Sequence, residues 1–406
     1  MPNETLAAYD AAQAPLEPRP PHKYTRHIAI RFAYIGWPYN GLAVQPNSLP
    51  NVRTVEGEIL RALYKTRMIA APDAQACALS RCGRTDKGVS GLRQVVSLNV
   101  RSVLDPDQQA QPECDALELD YLHILNQVLP RDIRLYEICL RPPKGFDARF
   151  SCVYRHYKYF FRAPPGESRK LDIELMREAA QLFVGSHDFR NFCKVDGSKQ
   201  ISNFERTVIS IDITRVTDGA GGNHELYCLD LKGSAFLWHQ VRSMMAVLFL
   251  VGQKLEQPSL ITRLFDVTGE SVRRPVYEMA ADTPLVLYDC VYDPETVKWT
   301  SFKTHQSQHR LEDNIYDLWH DNLIQFQMVD EFARMALSSL HEPYAPITEI
   351  HSKKKKNRKS DRLSINLGNG VGKYYNRYVP VMNRERLETP EVINQRWLNR
   401  KGKQEK

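Results

Sequence analysis

One stretch decides how this chain is read: Ser80-Arg81-Cys82-Gly83-Arg84-Thr85-Asp86-Lys87-Gly88-Val89-Ser90-Gly91. Gly83, Gly88 and Gly91 punctuate it, and glycine lets a backbone adopt φ > 0 or approach a ligand closely. A short apolar run, Ala76 to Leu79, precedes the stretch and reads as a strand. Gln94 to Val100 follows and reads as another, with Val96, Leu98 and Val100 on one face. The stretch is therefore a loop between strands. Asp86 stands among Arg81, Arg84 and Lys87. A carboxylate with a cation close by has its pKa lowered by about 1–3 units, so Asp86 is a candidate ionised nucleophile or base. An Asp-Lys-Gly surface turn with an ion pair is the alternative.

The elements around the loop have a definite order. His27 to Tyr34 alternates Ile28, Ile30 and Phe32 as a strand does. Thr54 can cap a helix carrying Val55, Ile59 and Leu63, and Asp120 one carrying Leu122, Leu125 and Val128. Ile133 to Leu140 is strand-like. The first half thus runs β-α-β-β-α-β. The second half repeats it: strand Val153–Phe161; a helix capped by Asp172 with Gly185 at its C′ position; strands Arg206–Thr214 and Leu226–Leu231; helix Ala235–Val251; strand Leu285–Tyr292. Two such units make an α+β fold of tandem ferredoxin-like halves with mainly antiparallel sheets. The expected divisions are a disordered tail over 1–24, halves over 25–150 and 151–299, a helical extension over 300–351 and a basic tail over 352–406. A helical pair is expected within 310–337.

The 406 residues suffice for two domains, and a charged fraction of 25% suits a soluble globular chain. The net charge of +7 is unevenly placed. Residues 352–406 hold 16 Lys+Arg against 5 Asp+Glu, so the remainder is net acidic. An RNA site in the body would therefore need local patches. The eight cysteines show no C-x-x-C pair and read as reduced, buried, small apolar residues of an intracellular protein. No signal peptide or membrane span is expected, because Ala235–Val251 is interrupted by His239, Gln240 and Arg242.

Two further places carry chemistry. In Tyr154–Tyr159 (YRHYKY) period two puts Arg155, Tyr157 and Tyr159 on one face. Interleaved Arg and Tyr suit phosphates and bases; a sheet face of amphipathic tyrosines is the alternative. In Phe236–Leu250, His239 and Arg242 fall at i and i+3. A guanidinium in an apolar helix needs an anion. That anion is a buried carboxylate such as Asp86, a ligand phosphate, or a structural partner.

Together these segments resemble the TruA-type family of tRNA pseudouridine synthases. Gly83-Arg84-Thr85-Asp86-Lys87-Gly88-Val89-Ser90 is similar to its catalytic signature. Phe146-Asp147-Ala148-Arg149-Phe150-Ser151, with Arg155 to Tyr159, is similar to its second motif, and Phe236 to Arg242 to its third. Pro284-Leu285-Val286-Leu287 resembles the segment closing the uracil pocket. The resemblance spans roughly residues 25–295. His187-Asp188-Phe189-Arg190-Asn191-Phe192-Cys193-Lys194 and Leu237-Trp238-His239-Gln240 point to the eukaryotic branch that modifies positions 38 and 39 of the anticodon arm. The resemblance implies a catalytic cleft between the halves. There Asp86 would act at the ribose as nucleophile or base, Arg84 would pair with Asp86 and help hold the base out of its stack, Tyr157 would stack on the uracil and serve in removing the C5 proton, and Arg242 would neutralise Asp86 or a phosphate. Leu285 would pack on the base. Arg81, Lys87, Arg149, Arg155, Lys194 and His239 would contact RNA. It also implies tRNA as partner, a homodimer, and no cofactor or metal. Ser90 replaces the bacterial His and is given no role. The Lys353–Lys359 run suits RNA contact or nuclear import, and nucleus and cytoplasm are the expected compartments. A sister branch of the family with broader tRNA or other RNA targets shares most of the signature and is the alternative within it; the rival functions outside it are a non-catalytic RNA platform and a phosphotransferase using Asp86. The platform lacks an RNP-type aromatic motif and the phosphotransferase a phosphate-binding loop.

Overall fold

The computed structural model describes residues 18–45, 52–163, 170–216, 226–338, 363–369 and 372–404. Most of the proline-rich start and the Lys353–Lys359 run lie outside the described residues. The protein is α+β. By contacts it divides into two units: Met1–Arg155 with Val286–Gln325, and His156–Leu285 with Phe326–Lys406.

In the first unit, β1 (Thr25–Tyr34) lies between β3 (Ser90–Arg101) and β4 (Ile133–Cys139), antiparallel to both. The two-residue β2 (Ser80–Arg81) joins β3 antiparallel, and β9 (Leu285–Val291) joins it parallel at Ser90 and Gly91. The period-two pattern predicts the buried face correctly. Ile28, Ile30, Phe32 and Tyr34 of β1 share one core with Val96, Leu98 and Val100 of β3. Against them pack Ile59 and Leu63 of α1 (Val55–Lys65) and Leu122 and Leu125 of α3 (Tyr121–Asn126). Each such side chain contributes about 1.5–3 kcal/mol by leaving water. The caps hold as read: Thr54 accepts from the Gly57 amide, and Asp120 from that of His123. A short α2 (Pro106–Ala110), not anticipated, carries a complete Asp105–Gln108 capping box.

In the second unit the strands run β5 (Tyr154–Arg162, whose first two residues belong to the first unit), β8 (Leu226–Gly233), β7 (Glu205–Arg215) and β6 (Gly185–Asp188). Asp172 caps α4 (Ile173–Gln181) through the Leu175 amide. Buried α5 (Gln240–Gly252) packs against α4 so closely that a Cβ on Gly252 would lie 2.7 Å from Met176 Cγ. Helix α6 (Ser259–Phe265) and the C-terminal segment complete the unit. That segment is a hairpin, β10 (Leu363–Asn366) with β11 (Gly372–Tyr375), followed by α8 (Pro390–Gln404).

Several expectations are corrected. Ala76–Leu79 is a turn, not a strand, with Ala78 at φ 51. The helix read from Ala235 starts at Gln240, because His239 is left-handed at φ 65. Gly185 opens β6 at φ 106 rather than sitting at C′, since α4 is already capped at Leu182. The helical pair is a single helix, α7 (His305–Ser338), uninterrupted because no Gly or Pro falls within it.

Candidate active site

In the first unit the loop is held from beneath by its neighbours. Gln94, fully buried on β3, clamps Gly83 twice: its Nε2 donates to the Gly83 carbonyl at 3.0 Å and its Oε1 accepts the Gly83 amide at 3.3 Å. Tyr34 OH and Thr85 Oγ1 lie 2.8 Å apart, and the Leu42 amide donates to the Thr85 carbonyl at 3.1 Å. A turn closes between the Asp86 carbonyl and the Val89 amide. Gly41 is required here. Its φ is +94, and a Cβ there would lie 2.9 Å from the Thr85 carbonyl oxygen and 3.3 Å from the Asp86 carbonyl carbon. Ser90, given no role from sequence, accepts the Gly36 amide at 2.9 Å and fixes the far end of the loop. The backbone is thus fixed at both ends while Asp86 is half-buried and Arg84 and Lys87 are exposed.

The cations around the loop divide into two kinds. Arg81 is paired with buried Glu56 at 2.9 Å. Burial pushes the Glu56 carboxyl above its ordinary value, with Arg81 and Arg84 opposing. Arg155, expected at RNA, is buried instead. Its Nη2 donates to the Cys82 carbonyl at 3.2 Å and the Arg149 carbonyl at 2.5 Å. It ties the base of the loop to the turn at 147–151, where Asp147 accepts the amides of Arg149 and Phe150. That turn leaves Phe150 81% exposed, with the Arg149 guanidinium 5.3 Å from its ring centre. Cys82, Cys152 and Cys290 are buried here, and all eight cysteines are free thiols.

In the second unit the Tyr157–Tyr159 part of the Arg155–Tyr157–Tyr159 face of β5 is largely core. Tyr159 is fully buried and its hydroxyl donates to the Ala281 carbonyl at 3.0 Å. Tyr157 is half-buried, its ring edge-on to Phe236 at 5.0 Å. On the other face His156 and Lys158 both meet Asp230, at 2.7 and 3.7 Å. Burial holds His156 below its ordinary pKa, with Asp230 opposing.

Arg242 lies in the first turn of α5. Its Nε donates to the Ala280 carbonyl at 2.8 Å, and Nη2 is 3.8 Å from Asp282 Oδ2. His239 precedes the helix and does not share a helical face with Arg242. Burial, then Arg242 and Lys194, pull its pKa to about 4, so the imidazole is neutral at pH 7. Lys194 is fixed by its amide to the Trp238 carbonyl at 3.0 Å, with its ammonium 4.6 Å from the Trp238 ring centre. Leu285 is buried, its amide bonded to the Asp282 carbonyl at 2.9 Å. The segment 187–194 supplies core as well as Lys194: His187 stacks on Phe265, and Asn191 donates to two carbonyls.

Sequence reasoning missed Gln94, Gly41, Ser90 and Glu56. Gln94 alone left a trace, as a polar residue opening an apolar strand. Among the described residues no group of three or more His, Cys, Asp or Glu could hold a metal ion, and no helix is long and apolar enough to cross a membrane.

Comparison with known proteins agrees with the motifs. A family model described as tRNA pseudouridine synthase matches residues 179–293. The chain is 47% identical over 385 residues to the tRNA pseudouridine(38/39) synthase of Saccharomyces cerevisiae, covering 94% of this chain and 80% of that protein. It is 40% identical to the Homo sapiens protein of the same name, over 75% of this chain and 62% of that one. A tRNA pseudouridine synthase A of Methanosarcina barkeri is 32% identical over 241 residues, 59% of this chain and 76% of that protein.

Proposed function

This chain belongs to the tRNA pseudouridine synthase family, and on that premise we propose that it isomerises uridine to pseudouridine at positions 38 and 39 of the tRNA anticodon stem-loop. The observation that carries this reading is the likeness to the yeast enzyme over 94% of the chain. The anchored loop around Asp86 supports it. In the same reading the body is two tandem ferredoxin-like halves sharing one catalytic cleft, the enzyme works as a homodimer, and it acts in nucleus and cytoplasm.

The reaction sets the tasks. Uracil must leave the ribose through N1, rotate and rejoin through C5. The nucleotide must first be flipped out, which costs a few kcal/mol and least in a loop or at a helix end. Asp86 acts at the ribose, as nucleophile at the sugar carbon or as base on the neighbouring C2′ proton. Arg84, exposed beside it, holds the base out of its stack. Tyr157 stacks on the uracil, with Phe236 limiting its rotation, and serves in removing the C5 proton. Leu285 packs on the base, so that it recombines before it diffuses away. Arg242 supplies positive charge for Asp86 or a phosphate. Lys87, Arg149 and Lys194 contact the RNA backbone, and neutral His239 lends a ring beside Trp238. Arg81 and Arg155 act by positioning the loop.

The test is tritium release from tRNA labelled at uridine C5. The wild type releases tritium, and Asp86→Ala binds tRNA with nearly unchanged affinity but releases none. Wild-type protein that binds tRNA without release would make it a non-catalytic RNA-binding protein. A large loss of binding in Asp86→Ala would make that residue structural. Deuterium at ribose C2′ slows the reaction only if Asp86 removes that proton.

A further inference from the structure

The turn at 147–151 spends most of its polar groups on itself and on buried neighbours. The Asp147 carboxylate accepts the Arg149 amide at 2.8 Å and the Phe150 amide at 2.9 Å. The Asp147 carbonyl accepts the Ser151 amide at 2.9 Å, and Ser151 Oγ accepts the Asp147 amide at 3.1 Å. From beneath, Tyr292 OH donates to the Ala148 carbonyl and Arg155 Nη2 to the Arg149 carbonyl, both at 2.5 Å. Burial opposes charge on Asp147, but hydrogen bonds from Ser80 and the two amides outweigh it and hold the carboxyl below its ordinary pKa. The one carboxylate of the turn is therefore taken up inside it. Phe150 nevertheless stands 81% exposed, more than any other large apolar side chain among the described residues. A ring carried on so fixed a backbone is pre-organised, and little ordering remains to be done when something stacks on it.

We infer that Phe150 is a stacking platform for a base of the substrate RNA that neighbours the target uridine, with Arg149 on an adjoining phosphate. The inference deepens the tRNA reading above and rests on it. Three considerations select a nucleobase. The first is a shared anchor. Arg155 Nη2 holds the Arg149 carbonyl and the Cys82 carbonyl together, so one group sets the spacing of the turn and the Asp86 loop within the first unit. Asp86 is four residues past Cys82 and Phe150 one past Arg149, each adding at most about 3.5 Å of chain. The ring is thus within a few nucleotide lengths of Asp86. The second is chemistry. From 141 to 155 the chain holds Arg141, Lys144, Arg149 and Arg155 against Asp147 alone. Arg141 is paired with Asp115 and Arg155 is buried, which leaves Lys144 and Arg149 exposed beside the ring. An aromatic face with cations next to it is what an unpaired RNA strand binds. The third is the reaction. Flipping a nucleotide unstacks its neighbours, and an aromatic side chain replaces that stacking whatever the base. A protein partner is disfavoured, because Phe150 and exposed Val153 fall far short of one side of a standard interface, roughly 800 Å².

The experiment uses the full chain with whole tRNA labelled at uridine C5. For Phe150→Ala, kcat/KM for tritium release is expected to fall about tenfold, mostly through KM, the loss that removal of one base–aromatic stack brings. Phe150→Leu, apolar but without a π face, is expected to fall nearly as far, and Phe150→Trp to recover the rate. The thermal midpoint of Phe150→Ala is expected to stay, because the ring is exposed. Its salt slope of tRNA binding is also expected to stay, whereas Arg149→Ala should lower that slope by roughly one. A tRNA carrying 5-iodouridine beside the target is expected to cross-link to Phe150 under near-ultraviolet light, and not to the Phe150→Ala protein. Wild-type kcat/KM in Phe150→Ala, with no cross-link at residue 150 of the wild type, overturns the inference and leaves the synthase reading standing. Equal losses in Phe150→Ala and Phe150→Trp, with a lowered thermal midpoint in both, overturn it as well and make the ring part of the turn's own structure. Wild-type protein that releases no tritium overturns the synthase reading, and the cross-link then decides the role of Phe150 in RNA binding by itself.

Discussion

Arginine serves two different ends within a few residues of the loop. Arg155 is buried with its hydrogens directed at two carbonyls, whereas Arg84 is exposed. The first holds backbone and the second is free to meet solvent or substrate, a difference that strand alternation alone does not predict. His239 shows the same dependence on surroundings. Burial and three nearby cations hold its pKa at about 4, against an ordinary 6.5. Between those values the unfolded chain takes up a proton that the folded chain refuses, so stability is full above pH 6.5 and falls as pH drops towards 4. The expected outcome for His239→Asn, which tolerates the left-handed backbone, is a shallower fall of the urea midpoint across that window. An unchanged slope would place the acid sensitivity in other groups. Asp86, Tyr157 and Arg242 were legible as candidates because charge and aromatic character interrupt apolar patterns. The buried state of Arg155 and Tyr159 was not, because burial on a strand depends on what covers it.

At the scale of elements, local chemistry was readable and tertiary support was not. Thr54, Asp120 and Asp172 cap helices as their positions suggested, since a cap needs only its own next turn. β6 was missed because four residues with two half-exposed polar side chains carry no alternation, and pairing with β7 makes it a strand. The helix at α5 was read five residues too early because Phe236 to His239 continue the apolar pattern in a non-helical backbone. The loop itself depends on glycines outside it. Gly41→Ala combines a left-handed φ with a Cβ 2.9 Å from a backbone oxygen. We expect a loss of about 1–3 kcal/mol in urea unfolding, as for strained backbone generally. Tritium release should fall at least tenfold, with tRNA affinity changed much less. Equal losses in affinity and rate would mean that the loop shift reaches the binding surface rather than Asp86 alone.

Across the whole molecule the basic C-terminus has two parts with different duties. Residues 363–369 and 372–404 belong to the folded second unit: Tyr378 OH and the Val381 amide each donate to Glu256 at 2.6 Å, and Glu278 takes Lys373, Tyr375 and Arg384. The Lys353–Lys359 run contributes charge. Neutralising that run to Gln should reduce the salt dependence of tRNA binding and leave the thermal midpoint unchanged. Removing residues 363–406 should lower the midpoint. If the Gln variant keeps the full salt slope, the run has no part in RNA binding. The docking of Gly368 has a consequence for the order of synthesis. A Cβ at that glycine would lie 2.3 Å from the Tyr159 hydroxyl, and the Leu367 carbonyl accepts from that hydroxyl at 3.3 Å. Tyr159 leaves the ribosome some two hundred residues earlier, on the order of 10–40 seconds at ordinary elongation rates. Through that interval the second unit is a nascent chain with an open flank, and the flank closes only once Leu367 and Gly368 have been made. A premature stop codon between Tyr159 and Leu367 would therefore release a protein with its Asp86 loop already encoded and its tyrosine core uncovered, a ready substrate for chaperones and proteases.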